Sequence, residues 1–418
     1  MPLFSVVVAT YDRGPHILPT LYSALDQRFR DFEIIVVGDG CSDDTMDVVR
    51  AIGSPRISTV ELATNSGSQS APNNAGIARS TGRYIAYLGH DDVWHPDHLA
   101  DIASVFARGD EPHVVAAGCI FHGPQNSGIS FVTGILDDEH PASTHFLPPS
   151  ALAHTREIVD RIGPWPPPDR VSAPVDADIM LRAVRAGSRF ASTGKITVHK
   201  FAAGHRYLSY LRPASSEQEA MLSALRGLAA TCTWDAVVAS ARRQGRYMAM
   251  TYGNYGDLRD GHLYEQNRSN KGLRRPPLRR LAGKAVLVQT AEPRGLDWYE
   301  LEQSVQLFRW SGPNPNPRVL IPFDGECTAR LTLNLFGASD EAVDALSFDH
   351  DGRTVPHVVA PSTPYCRRLE LELPLKRDAY SVLGMTTPRM FRPADRIDGA
   401  DSRLLGIALG NIELDISR

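Results

Sequence analysis

The chain carries little that would tie it to an oxidising compartment, a membrane or a nucleic acid. Its five cysteines, at positions 41, 119, 232, 327 and 366, are odd in number and form no CxxC pair, so neither a disulfide framework nor a thiolate zinc site is written into it. No stretch approaches the roughly 18 to 20 apolar residues that a membrane-spanning helix requires. The apolar run from Leu3 to Ala9 lacks a basic flank and is too short for a signal peptide. A formal net charge of −4 excludes a dedicated nucleic-acid binder on overall balance. These absences lead to the expectation of a cytoplasmic protein. With 418 residues, 42 % hydrophobic and 22 % charged, the chain is long enough for two or three domains with cores of their own.

The first hundred residues alternate short apolar runs with helical spacing. LFSVVVAT (3–10), FEIIVVG (32–38), ISTVEL (57–62) and YIAYL (84–88) are mostly continuously apolar, as strands buried on both faces are. HILPTLYSALDQ, DDTMDVVRAI and APNNAGIARST between them have helical periodicity. This order predicts a mainly parallel, doubly wound sheet, whose ligands bind beyond the carboxyl ends of the strands. Those ends carry Thr10-Tyr11-Asp12, Gly38-Asp39-Gly40 and Gly89-His90-Asp91-Asp92.

Two adjacent carboxylates in a crevice repel unless they are protonated or paired with a cation, and a bound Mg²⁺ or Mn²⁺ is the usual remedy. The competing reading is a turn that caps the helix starting near Pro96. The turn after the second strand reads Gly-Asp-Gly-Cys-Ser-Asp, so the third glycine of a dinucleotide fingerprint is missing.

Four segments, FSVVVATYDRG, FEIIVVGDGCSDDT, NSGSQSAPNNAGIARSTGRYIAYLGHDDVWHPDHL and VDADIMLRAVRAG, resemble in order and spacing the family 2 glycosyltransferases with a GT-A fold. The resemblance covers about residues 3 to 205. It implies a nucleoside site at Thr10, Tyr11 and Asp39, with Asp12, Asn74, Arg79 and Asp91 as further donor-binding residues. It implies a divalent cation, Mn²⁺ or Mg²⁺, held by Asp91, Asp92 and His199, although Gly89 stands where the family's motif begins with an aspartate. Asn73 replaces the family's arginine, Gly38 the first aspartate of its turn, and Val175 its glutamate. Asp176 matches the general base that removes a proton from the acceptor hydroxyl. Asp178, two residues on, points differently from a helix. His90 reads as a surface or packing histidine, and Lys200, His205 and Arg206 follow a further strand, in the region where the resemblance implies a basic residue over the diphosphate. Trp94 and Trp165 are read as flanking the acceptor.

Composition changes after residue 205. A helical region and a basic segment (267–284) precede short strands separated by Pro, Gly, Asn and Asp turns, a pattern that predicts an antiparallel β-sandwich or jelly roll. The expected division is 1–210, a GT-A domain; 211–284, a helical region and basic linker; and 285–418, a β-sandwich. The implied activity is inverting transfer of a sugar from a nucleotide-sugar, a UDP-sugar foremost, to a glycan or glycolipid acceptor. The basic segment admits peripheral contact with the inner face of a membrane, and the β domain a homodimer or a glycan site. The alternative is a catalytically degenerate GT-A protein that serves as a glycan-binding or scaffolding module.

Overall fold

The structure is a computed structural model that describes residues 1–108, 112–123, 130–201, 214–227, 235–253, 255, 258–265, 279–289, 295–296, 298–304, 306–312, 315–336, 340–350, 353–363, 365–377, 381–393 and 403–416. His205 and Arg206, and with them Arg268, Lys271, Arg274 and Arg275 of the basic segment, lie outside the described residues.

Strand β1 (Phe4–Thr10) lies inside the N-terminal sheet, as a sequence apolar on both faces requires: Val6, Val7 and Val8 are all essentially unexposed. β2 (Phe32–Asp39) and β4 (Tyr84–Tyr87) pair with it in parallel, and β3 (Ile57–Leu62) extends the parallel set beyond β2. Helices α1 (Leu18–Leu25), α2 (Thr45–Ala51) and α3 (Ser70–Arg79) make the connections. The close seat of α3 depends on Gly76, where a Cβ would lie 2.4 Å from Cγ1 of Val7. The strand and helix order expected for this half, and its mainly parallel sheet, are therefore present.

Beyond β4 the sheet becomes mixed. After the short strand β5 (Val93–Trp94) and helix α4 (His98–Phe106) come β6 (Val114–His122), β7 (Ser130–Thr133) and β8 (Leu152–Thr155). Helices α5 (Glu157–Ile162) and α6 (Val175–Arg185) then lead into β9 (Phe190–Lys200). The sheet order is β3-β2-β1-β4-β8-β6-β9-β5, with β7 on β6. β8 is antiparallel to β4 and to β6, and β9 is parallel to β6, so β9 runs in the direction of β1. The helix that feeds β9, α6, therefore begins at the same carboxyl edge as the loops after β1 and β2. Residues 214–265, with α7 (Ser216–Gly227) and α8 (Asp235–Arg243), belong to the same compact unit as this sheet. Among the described residues no helix is long and apolar enough to cross a membrane.

The described residues from 279 onward form a second unit. It is a β-sandwich. A seven-stranded antiparallel sheet includes Thr328–Phe336, Cys366–Pro374 and Ala408–Asp415, and a five-stranded antiparallel sheet includes Arg318–Ile321, Ser347–His350 and Ser381–Thr386. Leu331, Leu333, Leu371 and Ile412 of the first face Val319, Phe348, Leu383 and Met385 of the second in one core. The alternation in ARLTLNLF and RRLELELPL, apolar inward and polar outward, is what two stacked sheets demand.

Candidate active site

The loop after β2 is built around Asp39. Its side chain is only 4 % exposed, yet it is a carboxylate surrounded by donors. Ser66 gives it both a backbone N–H (3.0 Å) and a hydroxyl (2.9 Å), and Asn65 Nδ2 donates at 3.1 Å. Gly40, at φ +66°, lets Asn65 approach: a Cβ there would sit 2.3 Å from the Asn65 amide nitrogen. The sequence places Asp39 and Asn65 in separate motifs. The structure makes them one.

The loop after β1 is tied to the same turn. Asp12 takes a left-handed backbone (φ 41°), a conformation that a short polar side chain can support by local hydrogen bonding. Its carboxylate accepts from the Ser42 amide (2.7 Å) and hydroxyl (2.9 Å). Thr45 Oγ1 accepts the amides of Arg13 and Gly14, both at 2.7 Å, and donates to Asp43. Thr10 is buried, with His90 Nδ1 at 3.3 Å from its hydroxyl. Tyr11 is half-buried, and burial followed by the Asp12 carboxylate raises its phenol above the ordinary value. Thr10, Tyr11, Asp12 and Asp39 are thus brought together at the carboxyl edges of β1 and β2.

Of the two aspartates after β4, the second is paired with a lysine side chain. Asp92 is fully buried, and its Oδ2 accepts from Lys200 Nζ (2.8 Å) and Ser150 Oγ (2.5 Å). The amide of Phe201 donates to Oδ1 at 3.2 Å, and Thr20 donates to the Asp92 carbonyl at 2.8 Å. Burial alone would lower the Lys200 ammonium, but the Asp92 and Asp91 carboxylates outweigh it and hold the lysine charged. Burial pushes the Asp92 carboxyl upward against the pull of Lys200.

This arrangement accounts for Gly89. Its amide donates to Ser150 Oγ at 2.9 Å, and a Cβ at 89 would meet Asp92 Oδ2 at 2.7 Å. An aspartate cannot stand there without displacing the ion pair.

The ligand set Asp91, Asp92 and His199 does not fit a Mn²⁺ or Mg²⁺ ion. Such ions need several available oxygens, and both oxygens of Asp92 are committed to protein donors. His199 follows a different course from its neighbour, because successive strand side chains alternate faces and Lys200 takes the Asp92 side. The His199 ring is buried against His122, with Nδ1 3.0 Å from His122 Nε2, and burial holds it well below the usual histidine range. Among the described residues, three groups whose ligand atoms do lie within 4.8 Å of one another are Asp12, Cys41 and Asp43.

Two residues expected to bind the donor, Arg79 and Asn74, have the following surroundings. Arg79 is exposed in the last turn of α3, at the edge where β1 and β4 begin, because a helix that follows a parallel strand runs away from the crevice. Asn74, near the start of that helix, spends its amide on the chain. Its Oδ1 accepts the Trp165 amide (2.9 Å) and its Nδ2 donates to the Trp165 carbonyl (3.0 Å). Trp165 is itself buried; its indole N–H donates to Tyr87 Oη at 3.1 Å, and Tyr87 donates onward to Nε2 of His154 at 2.8 Å. The other nitrogen of His154 donates to the Thr155 carbonyl at 2.8 Å, and burial pushes the ring down to about 4. Trp94 is also fully buried, with its indole donating to the Ser150 carbonyl at 2.8 Å. Both tryptophans are core residues and neither offers a face to an acceptor.

At the start of α6 the two acidic residues divide. Asp178 is bound by Arg182 at 2.8 Å, and the same guanidinium reaches the carbonyls of Ile162 and Pro164, clamping the α5–α6 connection. Asp176 accepts the Ala177 amide at 3.0 Å and sits half-buried in the first turn at the carboxyl edge of the sheet. Ser150 and Lys200, which hold Asp92 from 58 and 108 residues away, carry no spacing signal by which the sequence could have joined them to it.

Residues 5–144 match the family described as Glycosyl transferase family 2. An uncharacterized glycosyltransferase of Nostoc sp. is 30 % identical over 174 residues, 39 % of this chain and 54 % of that protein. The UDP-Glc:alpha-D-GlcNAc-diphosphoundecaprenol beta-1,3-glucosyltransferase WfaP of Escherichia coli is 36 % identical over 94 residues, 22 % of this chain and 37 % of its own. The chain thus spans about half or less of the length of these relatives. Among solved structures, S. aureus TarS 1–349 in complex with UDP-GlcNAc aligns with a TM-score of 0.41 and 20 % identity, covering 58 % of this chain and 72 % of that one.

Proposed function

We propose, from the premise that residues 5–144 are a family 2 glycosyltransferase domain, that this protein transfers a sugar from a nucleotide-sugar to a saccharide acceptor with inversion at the anomeric carbon. The observation that carries the reading is that Asp39, anchored by Asn65 and Ser66, and Asp176, on the first turn of α6, both stand at the carboxyl edge of one sheet. That edge is where a doubly wound sheet takes its ligand.

In this reading Asp39 accepts hydrogen bonds from the nucleoside, with Thr10 and Tyr11 beside it. The reaction is a single displacement. Asp176 removes the proton from an acceptor hydroxyl as that oxygen attacks the anomeric carbon; the new C–O bond forms while the bond to the diphosphate breaks, and the nucleoside diphosphate leaves with both electrons. The low charge of the Asp91-Asp92-Lys200 cluster, two carboxylates against one ammonium, keeps the donor side from repelling a diphosphate as strongly as two bare aspartates would. WfaP, by its name, uses UDP-Glc and a diphosphoundecaprenol-linked sugar, which makes a UDP-sugar and a glycan or lipid-linked acceptor the first to test. A Mn²⁺ or Mg²⁺ requirement is read out in the same assay by titration with chelator.

A screen of UDP-sugars for UDP release, followed by a glycan acceptor array with the best donor, tests the proposal. Transfer that disappears in Asp176→Asn while donor binding persists supports it. The second reading, a degenerate domain that binds glycan without turnover, is favoured by the commitment of Asp92 to Lys200. It would be sustained by saccharide binding in calorimetry together with no nucleotide binding, with or without Mn²⁺.

A further inference from the structure

After α8 the chain turns back onto the sheet as a strap. Val132 donates its amide to the Arg246 carbonyl (3.1 Å) and Met248 returns one to Val132 (2.7 Å). Phe146 then donates to Met250 (2.8 Å), and Tyr252 to Thr144 (3.1 Å). Between these two sets Met248 is buried at φ 52°, a left-handed turn at a non-glycine residue, which redirects the strap from β7 to the 144–146 loop. Farther on, Gly261 donates to the Val171 carbonyl at 3.0 Å, ahead of α6, and Tyr264 donates to the Ser66 carbonyl at 2.9 Å, on the loop that holds Asp39. The strap thus touches the elements at both ends of the site.

The strap carries Tyr252. The ring packs on the same apolar cluster as Val175, Ile179 and Met180 of α6, and meets Phe146 edge-on at 6.3 Å. Its hydroxyl is buried and, among the described residues, has no hydrogen-bond partner. A buried hydroxyl without a partner is destabilising, so its retention calls for a use. Val175, packed on that same cluster, directly precedes Asp176 in the first turn of α6, and burial, followed by the charge of Asp176, raises the Tyr252 phenol.

We propose that Tyr252 is a positioning residue for Asp176: in the loaded enzyme its hydroxyl donates to one oxygen of that carboxylate and leaves the other to receive the acceptor's proton. The proposal rests on Asp176 being the base. A hydrogen bond to the ionised form favours it, so the bond holds the base deprotonated to lower pH and fixes its rotamer.

The test is Tyr252→Phe in the full chain, with UDP release from a UDP-sugar as the readout. Loss of a charge-assisted bond lowers kcat about tenfold or more. KM for the donor stays unchanged, the acid limb of the kcat profile moves to higher pH, and the melting temperature holds or rises because an unsatisfied hydroxyl has gone. A purely structural tyrosine would move neither kcat nor the limb. Parental kcat and pH profile in Tyr252→Phe, with Asp176→Asn inactive and still binding donor, overturns this inference alone. Persisting transfer in Asp176→Asn overturns the functional reading and the inference with it.

Discussion

Gly89 shows how a single residue can decide what a motif does. The sequence presents it as a missing aspartate, but the structure gives the vacancy a positive role, since Asp92 Oδ2 occupies the space a side chain would need. Restoring the family residue by Gly89→Asp therefore destabilises the protein and creates no metal site; thermal denaturation with and without Mn²⁺ shows a lower melting temperature that the ion does not raise. Lys200→Met removes the partner of a fully buried carboxylate. Breaking a buried pair from one side costs about 3–5 kcal/mol, and urea denaturation measures it. The loss is smaller in Lys200→Met/Asp92→Asn, where no charge is stranded. The sequence made the problem legible, two like charges at the end of a buried strand. It could not supply the answer, because the cation arrives on β9 and a strand offers no clue to which side chain across the sheet it will meet. The same limit explains His199: its residue type suits a metal, and only strand alternation sets it on the wrong side.

Elements place side chains that residue identity alone misreads. The strand order of the first half was legible because runs such as VVVA and IIVV are apolar on both faces, which only a covered parallel sheet tolerates. Asn74 looked like a donor ligand, yet its position one turn into α3 brings it against Trp165, 91 residues away. Asn74→Ala frees the connection that leads to α6 and leaves two backbone groups without their partner. We expect about 1–2 kcal/mol of lost stability, with kcat reduced more than donor binding, as steady-state kinetics alongside calorimetry would show. Tyr87 and His154 support the indole of the same tryptophan. His154 is held neutral, down at about 4 against an ordinary 6.5, so the unfolded chain binds a proton that the folded chain refuses between those values. That contribution is fully present above pH 6.5 and is lost as pH falls toward 4. In His154→Gln the slope of stability against pH over this window becomes shallower in urea denaturation. No periodicity could have announced the chain Trp165 to Tyr87 to His154, because it joins a loop and two strands. Nor did the composition of residues 246–252 mark them as a strap, since their hydrogen bonds go to Val132, Thr144 and Phe146 and not to near neighbours.

At the scale of the whole molecule the chain holds two compact units with separate cores, one around Phe4, Val6, Ile34 and Trp94 and one around Leu331, Leu369 and Ile412. The shift from helical to short-strand composition after residue 284 foretold the sandwich. In the strands Trp298–Gln303 and Leu307–Ser311, polar and aromatic residues mask the period-two pattern. Catalysis, in contrast, is assigned wholly to the first unit, and within it to one carboxylate. Asp178 is held by Arg182, and the proposed base is Asp176 at the head of α6. The most direct measurement is therefore sugar transfer by Asp176→Asn at saturating UDP-sugar, with donor affinity read by calorimetry on the same preparation. Donor binding within a few-fold of the parent and transfer reduced at least a hundredfold, the low end of what a positioned base supplies, is the expected result. Transfer at near-parental rate by a folded, donor-binding Asp176→Asn would contradict it.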